Sequence, residues 1–248
     1  MKSKLTKTAT LLLALVLLVG CSSKVMDPLG RPLKTYKIHF TESAIKIDGK
    51  LDEAVWKSAK DVGAFQFTWG SEGKQEGTEA KLLWDDEFLY VGFVCEDAHI
   101  WAEHTERDSE VYRDDCVEVF TSPNPDQLEK YFNVEMNVNA ASLDHLHPEG
   151  PGSKEAWDPE VRIATTVKGT MNNDDDTDQS WTLEVAIPFS AFSDIAKHTP
   201  PNPGDEWRLN LNRLGGKIDS NRSQWNAGDP DNPGFHAPDY FGRVIFIK

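Results

Sequence analysis

Turn-forming residues break this chain at short intervals, and the stretches between the breaks carry strand signals, several of them alternating apolar with polar side chains. Nine segments carry the signal: YKIHF (36–40), KLLW (81–84), FLYVGFVCED (88–97), CVEVFTS (116–122), YFNVEMNV (131–138), VRIATTVKG (161–169), SWTLEVAIP (180–188), WRLNLNR (207–213) and GRVIFI (242–247). A strand's side chains point to opposite faces in turn, so each such segment can bury one face and leave the other polar. That many short strands predict an all-β antiparallel β-sandwich or jelly roll, with residues 35–248 as its single domain. Helical periodicity is confined to DGKLDEAVWKSAK (48–60), where Asp48 can cap and Leu51, Val55 and Ala59 share a stripe, and to one turn in PFSAFSDI (188–195).

The alternation sorts polar residues onto one face of three strands. Glu118 opposes Val117 and Val119; Asn133, Glu135 and Asn137 oppose Phe132, Val134 and Met136; Arg208, Asn210 and Asn212 oppose Trp207, Leu209 and Leu211. One reading is the solvated side of an antiparallel sheet. The other is sugar recognition, because carboxylates and amides offer two hydrogen-bonding atoms in one plane to adjacent hydroxyls. Aromatic rings that could pack on a sugar's C–H face include Trp69, Trp101, Tyr112, Trp157, Trp225 and Phe235.

The first residues read as an export signal. Lys2, Lys4 and Lys7 precede the apolar run LLLALVLLVG (11–20), which falls short of the ~20 residues that cross a bilayer. LVGC (18–21) resembles a lipobox, which implies cleavage after residue 20, lipid on Cys21, and membrane attachment through that anchor. Ser22 after the cysteine points to a cell-envelope location, the outer membrane in a Gram-negative source. SSKVMDPLGRPLK (22–34) reads as a tether. Removing the leader takes the formal charge from −15 to −18, which excludes nucleic acid as a natural partner. Cys95 and Cys116 remain, either bonded to each other in an oxidising compartment or free and buried. NNDDDTDQ (172–179) is either a solvated hairpin tip or a calcium chelator.

Five motifs in order carry a family resemblance: IDGKLDEAVWKSA, AKLLWDDEFLYVGFVCED, DDCVEVF, WTLEVAIPFSAF and FHAPDYFG before a final strand. Together they resemble the family 9 carbohydrate-binding modules and their DOMON-like relatives, from Tyr36 to Lys248. The resemblance implies a monomeric β-sandwich that holds glucan- or xylan-type saccharides between two aromatic rings, at the positions of Tyr112 and Phe235. It implies hydrogen bonds from Glu118 and Asn212, places Asn133 where the family carries an arginine, and makes Asp97 a candidate ligand of structural calcium. Arg213, Trp225 and His236, beside these motifs, complete the expected site.

Three other functions remain to be weighed. Glu118 and Glu135 could serve glycoside hydrolysis, which needs two carboxyl groups. Some DOMON-like relatives hold haem, and Met136, His104, His145 and His147 could be axial ligands, but DHLHPEGPG (144–152) reads as an exposed loop and no haem is expected. A structural lipoprotein with a protein partner is the third.

Overall fold

A computed structural model describes residues 24–67, 69–70 and 73–248; the leader and Cys21 lie outside them. The elements run β1 (Thr35–Phe40), α1 (Ala54–Ser58), β2 (Gln66–Phe67), β3 (Thr78–Trp84), β4 (Phe88–Glu96), β5 (Cys116–Ser122), β6 (Tyr131–Asn137), β7 (Ser142–His147), β8 (Glu155–Ala156), β9 (Arg162–Lys168), β10 (Ser180–Pro188), β11 (Glu206–Leu214), β12 (Arg222–Gln224) and β13 (Gly242–Ile247). All nine expected strands form. They pair in the order β8-β7-β6-β5-β11-β13-β1-β3-β4-β10-β9. Every ladder is antiparallel except those of β1, which runs parallel to both β13 and β3.

The apolar half of the alternation explains why this sheet curls. Val117, Val119, Phe132, Val134, Met136, Leu209 and Leu211 from one wing share a cluster with Leu82, Leu89, Val91, Phe93, Leu183 and Val185 from the other. Folding the wings together removes both faces from water, at about 1.5–3 kcal/mol for each large side chain fully buried. The result is a β-sandwich.

The second wing's outer face is covered by the α1 region. Trp56 packs with Leu83, Phe88, Tyr90 and Ala186, and its indole N–H donates to the buried Glu184 carboxylate at 2.8 Å. The same carboxylate accepts the backbone N–H groups of Asp48 and Gly49. That capture keeps residues 48–49 out of a helix, so α1 is shorter than the periodicity predicts. Gly49 has φ +78°, and a Cβ there would stand 2.6 Å from the Thr165 carbonyl carbon.

Two expectations change, and the open alternative at the cysteines is decided. Residues 142–147 form strand β7 rather than an exposed loop, pairing Tyr131 with His147 and Asn133 with His145. Residues 25–33, expected to belong to a tether, form a turn closed by the Arg31–Asp27 ion pair; the Arg31 guanidinium also donates to the Ala227 carbonyl. Cys95 and Cys116 are free and buried. β4 and β5 lie in different wings, and Cys95 faces the main core while Cys116 faces the opposite side of its strand with Val111 and Leu143, so no disulfide joins them. In the 172–179 stretch, Asp178 accepts the N–H groups of Ile100 and Thr170, whereas residues 174–176 are exposed.

Candidate carbohydrate-binding face

Laterally paired residues of a sheet project to the same face, so the ladders assemble the polar residues into rows. One row runs Leu143–Glu135–Glu118–Asn212–Gln224 across β7, β6, β5, β11 and β12. The next runs His145–Asn133–Phe120–Asn210, and beyond it His147 stands beside Tyr131. The face is not solvated: Glu118, Asn133, Glu135, Asn210 and Asn212 are all buried.

Hydrogen bonds hold these groups in fixed orientations. Asn212 donates to Glu118 at 3.1 Å, and Asn133 donates to Glu135 Oε1 at 2.8 Å. His147 Nε2 lies 2.7 Å from Asn133 Oδ1, and the Tyr131 hydroxyl lies 2.8 Å from His236 Nδ1. Among the described residues, two acceptors of this face are left without a partner, Glu135 Oε2 and Asn212 Oδ1, on side chains of residues that are 7% and 0% exposed. An unpaired buried polar atom costs about 1–3 kcal/mol, so this face stores hydrogen-bonding capacity.

A cavity of about 300 Å³ opens over it, lined by Asn133, Glu135, His145, His147, Lys154 and His236 together with Gly152 and Ser153. Burial pushes the Glu135 carboxyl up to about 7; burial and the neighbouring Glu135 raise Glu118 well above the carboxylate range. Burial also lowers His147 and His236 to about 4. At neutral pH both imidazoles are uncharged, so with the Asn133 amide and Glu135 they present hydrogen-bonding groups that suit hydroxyls, and Lys154 adds a donor at the rim.

Aromatic rings stand on both sides. Phe235 packs with Phe120, Tyr131 and Phe241 and meets Trp69 edge to face at 4.8 Å. Phe120 and Leu214, which flank the Glu118–Asn212 row, belong to that same group, so it roofs the row. Tyr112 lies on a short 3-10 turn, Val111–Arg113, is 37% exposed, and lines an adjoining cavity with His145 and Lys154, which border both spaces. Its hydroxyl donates to Glu110 at 2.7 Å.

The structure thus brings Tyr112, Glu118, Asn133, Asn212, Phe235 and His236 to one face, and removes two residues from it. Trp225 is fully buried in the main core, with its indole N–H donating to the Val62 carbonyl. Arg213 neighbours Asn212 on β11 and therefore points the other way, into the sandwich. Sequence reasoning placed His145 and His147 in a loop; their period-two spacing was the signal that they share a strand face. Met136 lies in the core, on the opposite face from both, so it does not pair with either as a haem ligand.

Both oxygens of Asp97, the candidate calcium ligand, already accept hydrogen bonds. Its Oδ1 accepts the His99 N–H; its Oδ2 accepts the Trp181 indole N–H at 3.0 Å and the Arg213 guanidinium at 3.1 Å. A cation is already in place.

Comparison with known proteins agrees with this architecture. The carbohydrate family 9 binding domain-like model matches residues 47–248. Endo-1,4-beta-xylanase C of Paenibacillus barcinonensis is 22% identical over 220 residues, 89% of this chain and 18% of that protein; endo-1,4-beta-xylanase A of Thermotoga maritima is 23% identical over 207 residues, 82% and 17%. The chain therefore spans less than a fifth of either relative. Among solved structures, a Bacteroides uniformis protein provisionally described as carbohydrate-binding superposes with a TM-score of 0.69 at 20% identity, covering 86% of this chain and 99% of that one. A family 9 carbohydrate-binding module from Caldicellulosiruptor kristjanssonii, in complex with cellotriose, gives 0.61 at 18% identity, covering 86% and 94%.

Proposed function

This chain belongs to the carbohydrate family 9 binding domain-like family, and from that premise we propose that it binds a neutral glucan- or xylan-type saccharide on the polar face of β5, β6, β7 and β11. The observation that carries this reading is the unpaired, buried Glu135 Oε2 in the lining of a cavity whose other polar side chains are the Asn133 amide, the Ser153 hydroxyl, the Lys154 ammonium and the imidazoles of His145, His147 and His236. A sugar hydroxyl supplies the missing partner. Tyr112 and the partly exposed Trp69, which the buried Phe235 backs, offer ring surface on either side, and sugars present C–H faces that pack on such rings. The relatives solved with cellotriose and with glucose support the ligand class.

Binding here is an equilibrium event without bond cleavage. The paired carboxyls Glu118 and Glu135 favour a second reading, glycoside hydrolysis, which places two carboxyl groups on opposite sides of the scissile bond. Here they stand side by side on one face, and of the two only Glu135 lines the cavity.

We further read the chain as a monomer held on the cell envelope by lipid at Cys21, where it presents its sugar to partner enzymes. Calorimetric titration of the native chain with cello- and xylo-oligosaccharides tests the binding, with a reducing-end assay run in parallel. Saturable heat without new reducing ends is expected; no heat, or steady release of reducing ends, overturns the reading. Cys21→Ser should move the protein from the membrane fraction to the soluble one.

A further inference from the structure

Arg213 is wholly enclosed between the two wings of the sandwich. One terminal nitrogen, Nη2, lies 3.1 Å from Asp97 Oδ2 and 3.5 Å from Glu76 Oε2. The other, Nη1, donates to the Gly77 carbonyl at 3.1 Å and reaches the Thr78 hydroxyl at 3.4 Å. Each carboxylate is also held from behind: Glu76 Oε1 by the Ala98 N–H, Asp97 Oδ1 by the His99 N–H. A third carboxyl, Asp115, senses both Asp97 and Arg213 and is fixed by the N–H groups of Trp101 and Gly216.

Every partner of these two guanidinium nitrogens is an oxygen acceptor. Two carboxylates, a backbone carbonyl and a hydroxyl are hard oxygen donors, the same chemistry that surrounds a calcium ion. They come from the start of β3 and the end of β4, in the wing opposite β11, so the charge at their centre ties the wings together. Packed without a cation, these carboxylates would carry uncompensated buried charge.

We propose that Arg213 is the structural cation of this site: its guanidinium occupies the position a divalent ion would take among Glu76, Gly77, Thr78 and Asp97, and its removal opens that ligand set to calcium. The native chain therefore holds no calcium at Asp97, and its fold does not depend on one there.

The test compares calcium stoichiometry and melting temperature for the native chain, Arg213→Gln and Asp97→Asn. Arg213→Gln should melt several degrees lower in chelator than the native chain and recover part of that loss in millimolar calcium, binding one more ion per chain. Arg213→Gln that folds but gains no calcium overturns the proposal. If Arg213→Gln does not fold, Asp97→Asn decides: a lower melting temperature with unchanged calcium stoichiometry supports the proposal, and loss of one bound calcium overturns it.

Discussion

Glu118 and Glu135 stand directly opposite one another on β5 and β6, two buried carboxyls in register on the same face. Burial favours their neutral forms, and Glu135 keeps its proton up to about 7 rather than the usual 4.5. A raised carboxyl contributes stability that is complete below about pH 4.5 and is lost as pH rises through 7. The loss reaches about 3 kcal/mol at most, from about 1.4 kcal/mol per pH unit. Glu135→Gln, which cannot ionise, should therefore melt higher relative to the native chain at pH 8 than at pH 5. His147 and His236 oppose this trend on the acid side but are common to both proteins and cancel. Equal pH dependence in the two would contradict the assignment.

Tyr112 is exposed and its hydroxyl is satisfied by Glu110, so removing the ring touches ligand more than fold. Tyr112→Ala should weaken saccharide binding up to about tenfold, the worth of one stacked ring, with a melting temperature within a degree or two of native. Calorimetry on both properties checks it; a large fall in melting temperature with unchanged affinity would place Tyr112 in the scaffold instead.

Trp225 behaves in the opposite way. It is fully buried, and its ring stands against Gly242, where a Cβ would meet it at 2.4 Å. Trp225→Ala should cost about 3–5 kcal/mol of stability through the cavity it leaves. Chemical denaturation measures that cost, and a loss below 1 kcal/mol would return Trp225 to the list of ligand-facing rings.

Gly49→Ala should destabilise the fold severely, because both its left-handed backbone and the Thr165 backbone 2.6 Å from a Cβ forbid a side chain. Loss of the Trp56–Glu184 contact should follow, readable as a change in tryptophan fluorescence. A native-like spectrum and melting temperature would show that the 48–49 turn can move aside.

The strand content was legible because alternation in segments such as YFNVEMNV and WRLNLNR, and apolar runs such as FLYVGFV bounded by turn residues, are local properties. β7 escaped because SLDHLH carries an aspartate and two histidines, residues that read as loop until neighbours satisfy them: Asp144 by Arg107, His147 by Asn133. The polar face was legible, but its burial was not, since the rings that roof it arrive from residues 69 and 235, far along the chain. One error was avoidable. Arg213 follows Asn212, so the same period of two that grouped the amides sends it to the core, whereas Trp225 follows Gln224 on β12, a strand of three residues that carries no alternation to read. The guanidinium's oxygen partners, by contrast, come from β3 and β4 and become visible only once the wings close.

The most direct test of the binding face is titration of the native chain and Glu135→Leu with cellotriose, followed by calorimetry and by amide chemical shifts. Leucine keeps the volume and removes the one unpaired carboxyl oxygen that lines the cavity, while leaving the Asn133 amide without its acceptor at a cost of about 1–3 kcal/mol. The native chain should bind with shifts concentrated at Tyr112, Asn133, His145 and His236, while Glu135→Leu folds and loses at least tenfold in affinity. Equal affinity in the two proteins, or shifts confined to the far side around Phe88 and Arg162, would contradict the account.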